Sequence, residues 1–470
     1  MILRCIQTLA CACLLAACAT EPPYQRPAPD LPVSWKTDAP WREGRPADAA
    51  PKGAWWTVFG DSQLDALEGK AMGGNPTLAL AQARLSQARA ALAASSAGAL
   101  PQLGLAARST SQKISANRPL SNYNSPNFST VQADFSLATS VSYELDLAGR
   151  VQQSIAGAQA SSEQAAADLE NTRLLLSAEL AVNYFNLRST DTELDVLSRS
   201  IALQRRALEL VSARHELGAA SGLDLAQQQT LLETTLVQLD LLRRQRGQFE
   251  HAIATLSGTA APLFGLPADT RDLTPPAVPL GVPSDLLQRR PDIAAAERAM
   301  AAANAQIGVA NAAFYPSILL GAVLGGDSRD LATLFDAPSL LWSFGLSAAQ
   351  TLFDGGRIRA NADYASAGYA AAVANYRRVV LLAMQEVEDG ISALAALERA
   401  ALQSRAAAAS ARRAFEMTLA RYEGGASAYL DVVITQQALL SSERQTAQLQ
   451  GQRLVASVFL IKALGGSVPE

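Results

Sequence analysis

Most of the side-chain chemistry that supports catalysis is missing from this 470-residue sequence. It holds two histidines, His215 and His251, and no His-Glu-x-x-His, Gly-x-Ser-x-Gly or phosphate-loop pattern. An enzyme needs a convergent constellation of acid, base and nucleophile, and none is written here, so neither a catalytic function nor a bound cofactor is expected. His215 reads as a solvated helix end. Asp327 and Asp330 read as solvated residues of a polar loop rather than as calcium ligands. The formal charge is only −4, which offers no basic face for nucleic acid. Beyond the first 18 residues no run reaches the ~18 consecutive apolar residues of a membrane-spanning helix. Any crossing of a bilayer is therefore left to strands. Aromatic residues are scarce at 6%, while hydrophobic residues at 49% against 17% charged are too many for a disordered chain. What fills the sequence instead is Ala, Leu, Gln and Ser, the composition of helical bundles.

Cysteine is absent after position 18. All four cysteines, Cys5, Cys11, Cys13 and Cys18, lie in MILRCIQTLACACLLAAC, which has one early charge, an apolar run and small residues at its end. That is the layout of a secretory signal. Leu15-Ala16-Ala17-Cys18 resembles the lipobox of bacterial lipoproteins. The resemblance implies cleavage before Cys18, an S-diacylglycerol on its thiol and an N-palmitoyl chain on its new amine, and Ala19 after it implies sorting to the outer membrane. The mature chain then keeps no other cysteine, which excludes a disulfide framework or a thiolate metal site. Acyl chains anchor a protein to outer-membrane lipid without spanning it.

What is present is one unit written twice. ARHELGAASGLDL, starting at Ala213, returns as ARYEGGASAYLDV, starting at Ala420, at an offset of 207. Asn75-Pro76-Thr77-Leu78 matches Arg290-Pro291-Asp292-Ile293, and 25 positions past each proline stand Pro101 and Pro316. The Gly-Arg pairs ending at Arg150 and Arg357 match, as do Leu256-Ser257-Gly258 and Ala463-Leu464-Gly465. The offset is 215 at the prolines and 207 at the arginines, so a loop in the second copy is shorter. Repeats this long are duplications rather than solenoid units.

Within each copy the hydrophobic period changes twice. Asn75 reads as an N-cap with Pro76 at the first helical position, opening a helix to about Leu100. After Pro101 the period becomes two. Val131, Ala133, Phe135, Leu137, Thr139, Val141, Tyr143, Leu145 and Leu147 alternate with polar or small residues, a long strand with one apolar face. Leu103, Leu105 and Ala107 give it a partner. The second copy repeats the pattern at Ile318, Leu320, Ala322 and Leu324, then at Leu340, Trp342, Phe344, Leu346 and Ala348. SQKISANRPLSNYNSPNFST and GGDSRDLATLFDAPS between the strands read as loops. Next comes a heptad seam, Leu180, Leu187, Leu194, Ile201 and Leu208, on a helix from about Arg150 to Leu217 that would reach ~100 Å. A Gly-containing corner follows, and a return helix from Leu223 to about Leu256. At the corner, Ser221-Gly222-Leu223-Asp224 fits a capping box, whereas Ala428 replaces the serine before Asp431.

Four strands per chain are too few to seal a lipid-embedded sheet, because closed membrane barrels start at about eight strands and an open edge leaves backbone groups unsatisfied in hydrocarbon. Several chains must share one barrel; two, three or more satisfy the physics. A soluble sandwich has the same strand periodicity but leaves the long helices unexplained. A coiled-coil lipoprotein bridging envelope layers leaves the alternating strands unexplained.

PPAVPLGVPSDLLQRRPDIAAAERAMAAANAQIGVANAAFYPSI, starting at Pro275, resembles the connector of the outer-membrane efflux lipoproteins, relatives of TolC. AWWTVFGDSQLDAL resembles that family's opening segment, and YRRVVLLAMQEVEDGISAL and RYEGGASAYLDVVITQQALL its second-copy helices. The resemblance implies a mainly α chain with a transmembrane β-barrel part, the TolC-like fold. It further implies a homotrimer with a 12-stranded barrel and a 12-helix periplasmic tunnel, docking a membrane-fusion adaptor and an inner-membrane RND pump. The function so implied is the exit duct of a tripartite efflux pump; a duct for type I protein secretion is the alternative. The chain then divides into a leader (1–17), an extended segment (18–66), a first repeat (67–260), a connector (261–289), a second repeat (290–466) and a tail (467–470). The resemblance also implies that the second tip lines the periplasmic gate. Leu430 would supply an apolar ring and Asp431 a carboxylate ring selecting cations. Tyr422 and Asp224 would link neighbouring tips. Ser427 stands where some relatives carry Arg.

Overall fold

The computed structural model describes residues 53–117, 129–277 and 289–466, and within them the two copies fold alike. Cys18 and the leader lie outside the described residues, as do 118–128 of the first loop and 278–288 of the connector. The first copy gives α1 (Ser62–Gly74), α2 (Pro76–Ala97), β1 (Gln102–Ile114), β2 (Thr130–Leu145), α3 (Arg150–Glu216) and α4 (Gly222–Leu256). The second gives α5 (Pro291–Ala312), β3 (Ser317–Ser328), β4 (Leu340–Ala349), α6 (Arg357–Glu423) and α7 (Tyr429–Ala463). Matched helices have equal lengths: 22 residues in α2 and α5, 67 in α3 and α6, 35 in α4 and α7.

Helix starts follow the side chains that can satisfy free N–H groups. The Asn75 amide oxygen accepts from the N–H groups of Thr77 (2.7 Å) and Leu78 (3.3 Å). Asp146 accepts from Val151 and Gln152 at the start of α3, and Asp354 accepts from Gly356, Arg357 and Ile358 at the start of α6. Between copies these two aspartates are one position out of register, yet each caps its own long helix. The Ile358 N–H, with those of Gly356 and Arg357, holds the Asp354 carboxyl below the usual carboxylate range against the opposing effect of desolvation.

The described residues form two compact units, each drawing on both copies. The first holds the sheet, with Arg84–Ala165 and Ala296–Tyr376. Its strands run β1-β2-β3-β4, every pair antiparallel, so that β2 beside β3 joins the two copies. Direct partners in an antiparallel pair point to the same side. Leu103 lies opposite Val141, Val141 opposite Ala322, and Ala322 opposite Phe344. One row further, Leu105, Thr139, Leu324 and Trp342 line up the same way. The period-two pattern of four separate segments thus becomes one continuous apolar face. Two loops are shorter than the sequence suggests. β1 and β2 extend to Ile114 and Thr130, because Ser, Gln, Thr and Lys pair well enough along a hairpin ladder, and β3 runs to Ser328, so Asp327 is a strand residue and not a loop residue.

The second unit holds the hairpins, with Ala166–Ala295 and Arg377 onward. Of the expected seam, Leu180, Leu187 and Ile201 are buried and Leu194 and Leu208 half-buried, with Leu197, Leu232, Leu239 and Leu242 packed around Ile201. Where each return helix ends, the same junction appears twice. The Asn75 amide donates to Leu256 O (2.8 Å), and the Arg290 guanidinium donates to Ala463 O (2.9 Å). Gly258 (φ 73°) and Gly465 (φ 87°) follow. A Cβ at Gly258 would lie 2.3 Å from Gly74 O, and one at Gly465 2.9 Å from Arg289 O, so only glycine permits this approach.

Candidate functional site

Two parts of the molecule carry chemistry that a folded core does not require: the second face of the sheet and the two hairpin corners. On the sheet, the residues between the apolar rows are mostly polar or small, Leu319, Val323 and Leu341 excepted. Ser142, Ser140 and Ser136 of β2 lie beside Gly104 and Arg108 of β1 and beside Gly321, Val323 and Asp327 of β3. The apolar rows are exposed in the chain, with Leu103, Trp342 and Phe344 each about 70% or more accessible. A sheet this apolar on its outer side fits hydrocarbon better than water. Its strands run 13, 16, 12 and 10 residues, enough to cross a bilayer. Among the described residues β1 and β4 are edges, each with a row of backbone groups that no further strand pairs.

The two corners share a backbone. Gly218 (φ 75°) and Gly425 (φ 73°) make the turn. The N–H of Ala219 donates to Arg214 O (2.7 Å), and that of Ala426 to Arg421 O (2.8 Å). Their side chains differ. At the first corner Ser221 and Asp224 form the expected capping box: the Asp224 N–H donates to Ser221 Oγ (3.2 Å) and the Ser221 N–H to Asp224 Oδ2 (3.0 Å). His215 is not simply solvated, because its Nδ1 lies 2.9 Å from Ala220 O and closes the turn. At the second corner Ala428 provides no side-chain cap. The Asp431 side chain is exposed and bonds to no described residue, and Leu430 beside it is 48% exposed.

Tyr422, by contrast, is buried within its own chain. Its ring stacks edge-on with Tyr429 (5.1 Å), and the Arg214 guanidinium lies 4.9 Å above it. The Tyr429 hydroxyl donates to Gln228 Oε1 (2.7 Å), and burial pushes that hydroxyl upward, with Tyr422 and Asp224 adding to the shift. Arg214, Gln228 and Tyr429 therefore tie the two hairpins of one chain together, around Val211, Phe415 and Val432. None of the three stands out in the sequence. A signal was present in the seven-residue spacing of Tyr422 and Tyr429 across Gly424-Gly425.

Elsewhere in the second unit, Asp191 accepts from Arg188 (2.8 Å) and Arg246 (2.6 Å), and Tyr184 donates to Asp61 (2.7 Å). The Trp55 indole donates to Ser177 Oγ (2.9 Å). Tyr184 and Ser177 thus fasten the segment before α1 onto α3, and Arg188, which also donates to Pro267 O (2.9 Å), holds the segment after α4 there. Glu68 has no such partner. It shares the buried face of α1 with Leu64, Leu67 and Ala71, and neither carboxyl oxygen has a hydrogen bond among the described residues. Burial, with Asp65 adding to it, pushes Glu68 up to about 9, so it is protonated at neutral pH.

Comparison with known proteins agrees with this geometry. A family profile described as outer membrane efflux protein matches residues 67–259 and 282–466. The pyoverdine export outer membrane protein OpmQ of Pseudomonas putida is 33% identical over 96% of this chain and 95% of its own. The toluene efflux pump outer membrane protein TtgF, from another strain of Pseudomonas putida, is 31% identical over 98% and 96%. Among solved structures, the outer-membrane channel OprN superposes with a TM-score of 0.87 at 28% identity, covering 95% of this chain and 99% of OprN. CusC gives 0.84 at 28% identity over 95% and 100%.

Proposed function

The chain belongs to the outer membrane efflux protein family, and from that premise we propose that it is the exit duct of a tripartite efflux pump, assembled as a homotrimer. The observation that carries this reading is the register of the sheet. Four strands align every apolar row on one side and leave two unpaired edges, so the sheet is completed by copies of itself. Three copies give a 12-stranded barrel with the serine-rich face inward, and α3, α4, α6 and α7 line a periplasmic tunnel. Cys18 carries the lipid anchor. A membrane-fusion adaptor and an inner-membrane RND pump complete the path, and the duct itself makes and breaks no bonds. The named relatives export pyoverdine and toluene, small molecules, which favours efflux over protein secretion.

The corners are the gate. Leu430 and Asp431 project from a helix start that has no use for them as a cap, which supports their facing the axis as an apolar and an acidic ring. Tyr422 and Asp224 hold the tips through their own chain: Tyr422 against Arg214, Asp224 by fixing α4. The test is single-channel recording of the purified protein in planar bilayers, with its mass measured in detergent. A trimer with a small resting conductance, raised by Leu430→Ala and Asp431→Ala, is expected. A monomer without conductance ends the duct reading, and wild-type conductance from both variants removes the two residues from the gate. Intact-mass measurement of wild type and Cys18→Ser reads the lipid directly.

A further inference from the structure

The loop joining β3 to β4, residues 329–339, is folded over one particular side of the sheet. Ser328 is the register partner of Phe135, so both belong to the apolar face, and Ser328 Oγ lies 2.7 Å from Thr333 Oγ1. Gly326, partner of Leu137 and Leu340, faces the same way. A Cβ built on Gly326 would lie 2.4 Å from Leu334 O and 3.4 Å from the Leu334 side chain, so Leu334 sits directly on the apolar face where a glycine leaves room. The loop is held in this position. Asp330 accepts from the Ala332 N–H (3.1 Å), and Ser339 Oγ donates to Thr333 O (2.8 Å).

With Leu334 buried beneath it, the loop turns its remaining apolar side chains outward. Phe335 is 83% exposed and Leu331 62%, next to Leu340 at the start of β4. They stand just before, in sequence, the exposed row that Leu340, Trp342, Phe344 and Leu346 make on β4. A polar loop that covered the pore would lie on the serine-rich face, and this one lies on the opposite side.

We propose that residues 329–339 form an apolar foot that rests in the lipid of the outer membrane, with Phe335 and Leu331 among acyl chains. The foot lengthens the hydrophobic band on one side of each chain and leaves the mouth of the duct uncovered by this loop. The inference rests on the reading of the apolar face as lipid-facing. The occupant is lipid because Leu334 seats the loop on that face and leaves Phe335 and Leu331 exposed beside it.

Phe335→Trp, reconstituted with brominated phospholipids and titrated separately with aqueous iodide, tests it. Trp342 in wild type reports on the barrel itself, and its share is read by subtracting the emission of Trp342→Phe. The expected result is that the indole introduced by Phe335→Trp loses most of its emission to the brominated lipid and little to iodide. Gly326→Val, which displaces Leu334, reverses that preference while Trp342 stays lipid-quenched. Quenching of the new indole by iodide alone puts the loop in water and overturns the proposal. Shielding from both quenchers puts it against another protein copy and overturns it equally. If Trp342 also escapes the brominated lipid, the barrel reading fails with it, which separates the two outcomes.

Discussion

The two hairpin corners make the same turn with different side chains. A left-handed glycine and a backbone bond from the following alanine are enough to reverse the chain in both copies. At the first corner the side chains serve the turn itself: His215 reaches Ala220, and Ser221 and Asp224 bond each other's backbone. At the second they serve something else. The position of His215 is taken by Tyr422 and that of Gly222 by Tyr429, and both reach the other hairpin. With Ala428 in place of the capping serine, Asp431 is released from local duty. Duplication thus preserved the backbone solution and freed the second set of side chains for contacts beyond the turn.

That contrast can be pressed by measurement. The corners keep their carboxylates capped or in water, and Glu68 sets the scale for a carboxyl that has neither. Its folded value of about 9 lies above the unfolded carboxylate value, so its contribution is full in acid and is lost as pH rises towards 9. Glu68→Met is expected to gain on wild type by about 1.4 kcal/mol per pH unit across that window, read as a widening gap between the two thermal melting curves. Parallel pH profiles would place the Glu68 carboxyl in water. Next in size is Tyr429→Phe, which leaves Gln228 Oε1 buried without its donor and should cost about 1–3 kcal/mol. Denaturant titration reads that loss, and no substitution at Gly222 of the first corner has a counterpart to it. Ser221→Ala should remove about 1 kcal/mol of helix capping, whereas Ala428→Ser should add a comparable or smaller amount by giving Asp431 a capping partner. If both leave stability unchanged, the corners do not differ as described. The smallest effect is expected from Asp431→Ala, within about 0.5 kcal/mol of wild type. A larger loss would mean that Asp431 holds the fold.

Much of the architecture was legible in the sequence because it depends on local pattern. The period-two runs are β1 to β4, the seven-residue leucine spacing is the buried seam of α3, and Asn75-Pro76 starts α2. The capping box at Ser221 was legible for the same reason: its two residues are three apart. What stayed hidden depends on partners far away along the chain. Asp191 meets Arg246 from another helix, and Tyr429 finds Gln228 in the opposite copy, pairings that no local spacing announces. Glu68 was hidden differently. A glutamate amid leucines reads as a solvated charge until packing covers it. The placement of the β3–β4 loop on the apolar face was unreadable because it turns on the space above a single glycine, Gly326.

The matched arms of 67 and 35 residues constrain how this molecule could ever change size. Deleting one residue from α3 would shorten it by about 1.5 Å and rotate everything beyond by about 100°, swinging the leucine seam away from its neighbours. A deletion confined to one arm would also leave its corner tilted. Tolerated variation should arrive as whole heptads, inserted or removed in outgoing and returning arms of both copies together. The reach of each corner is in that sense digital, counted in sevens.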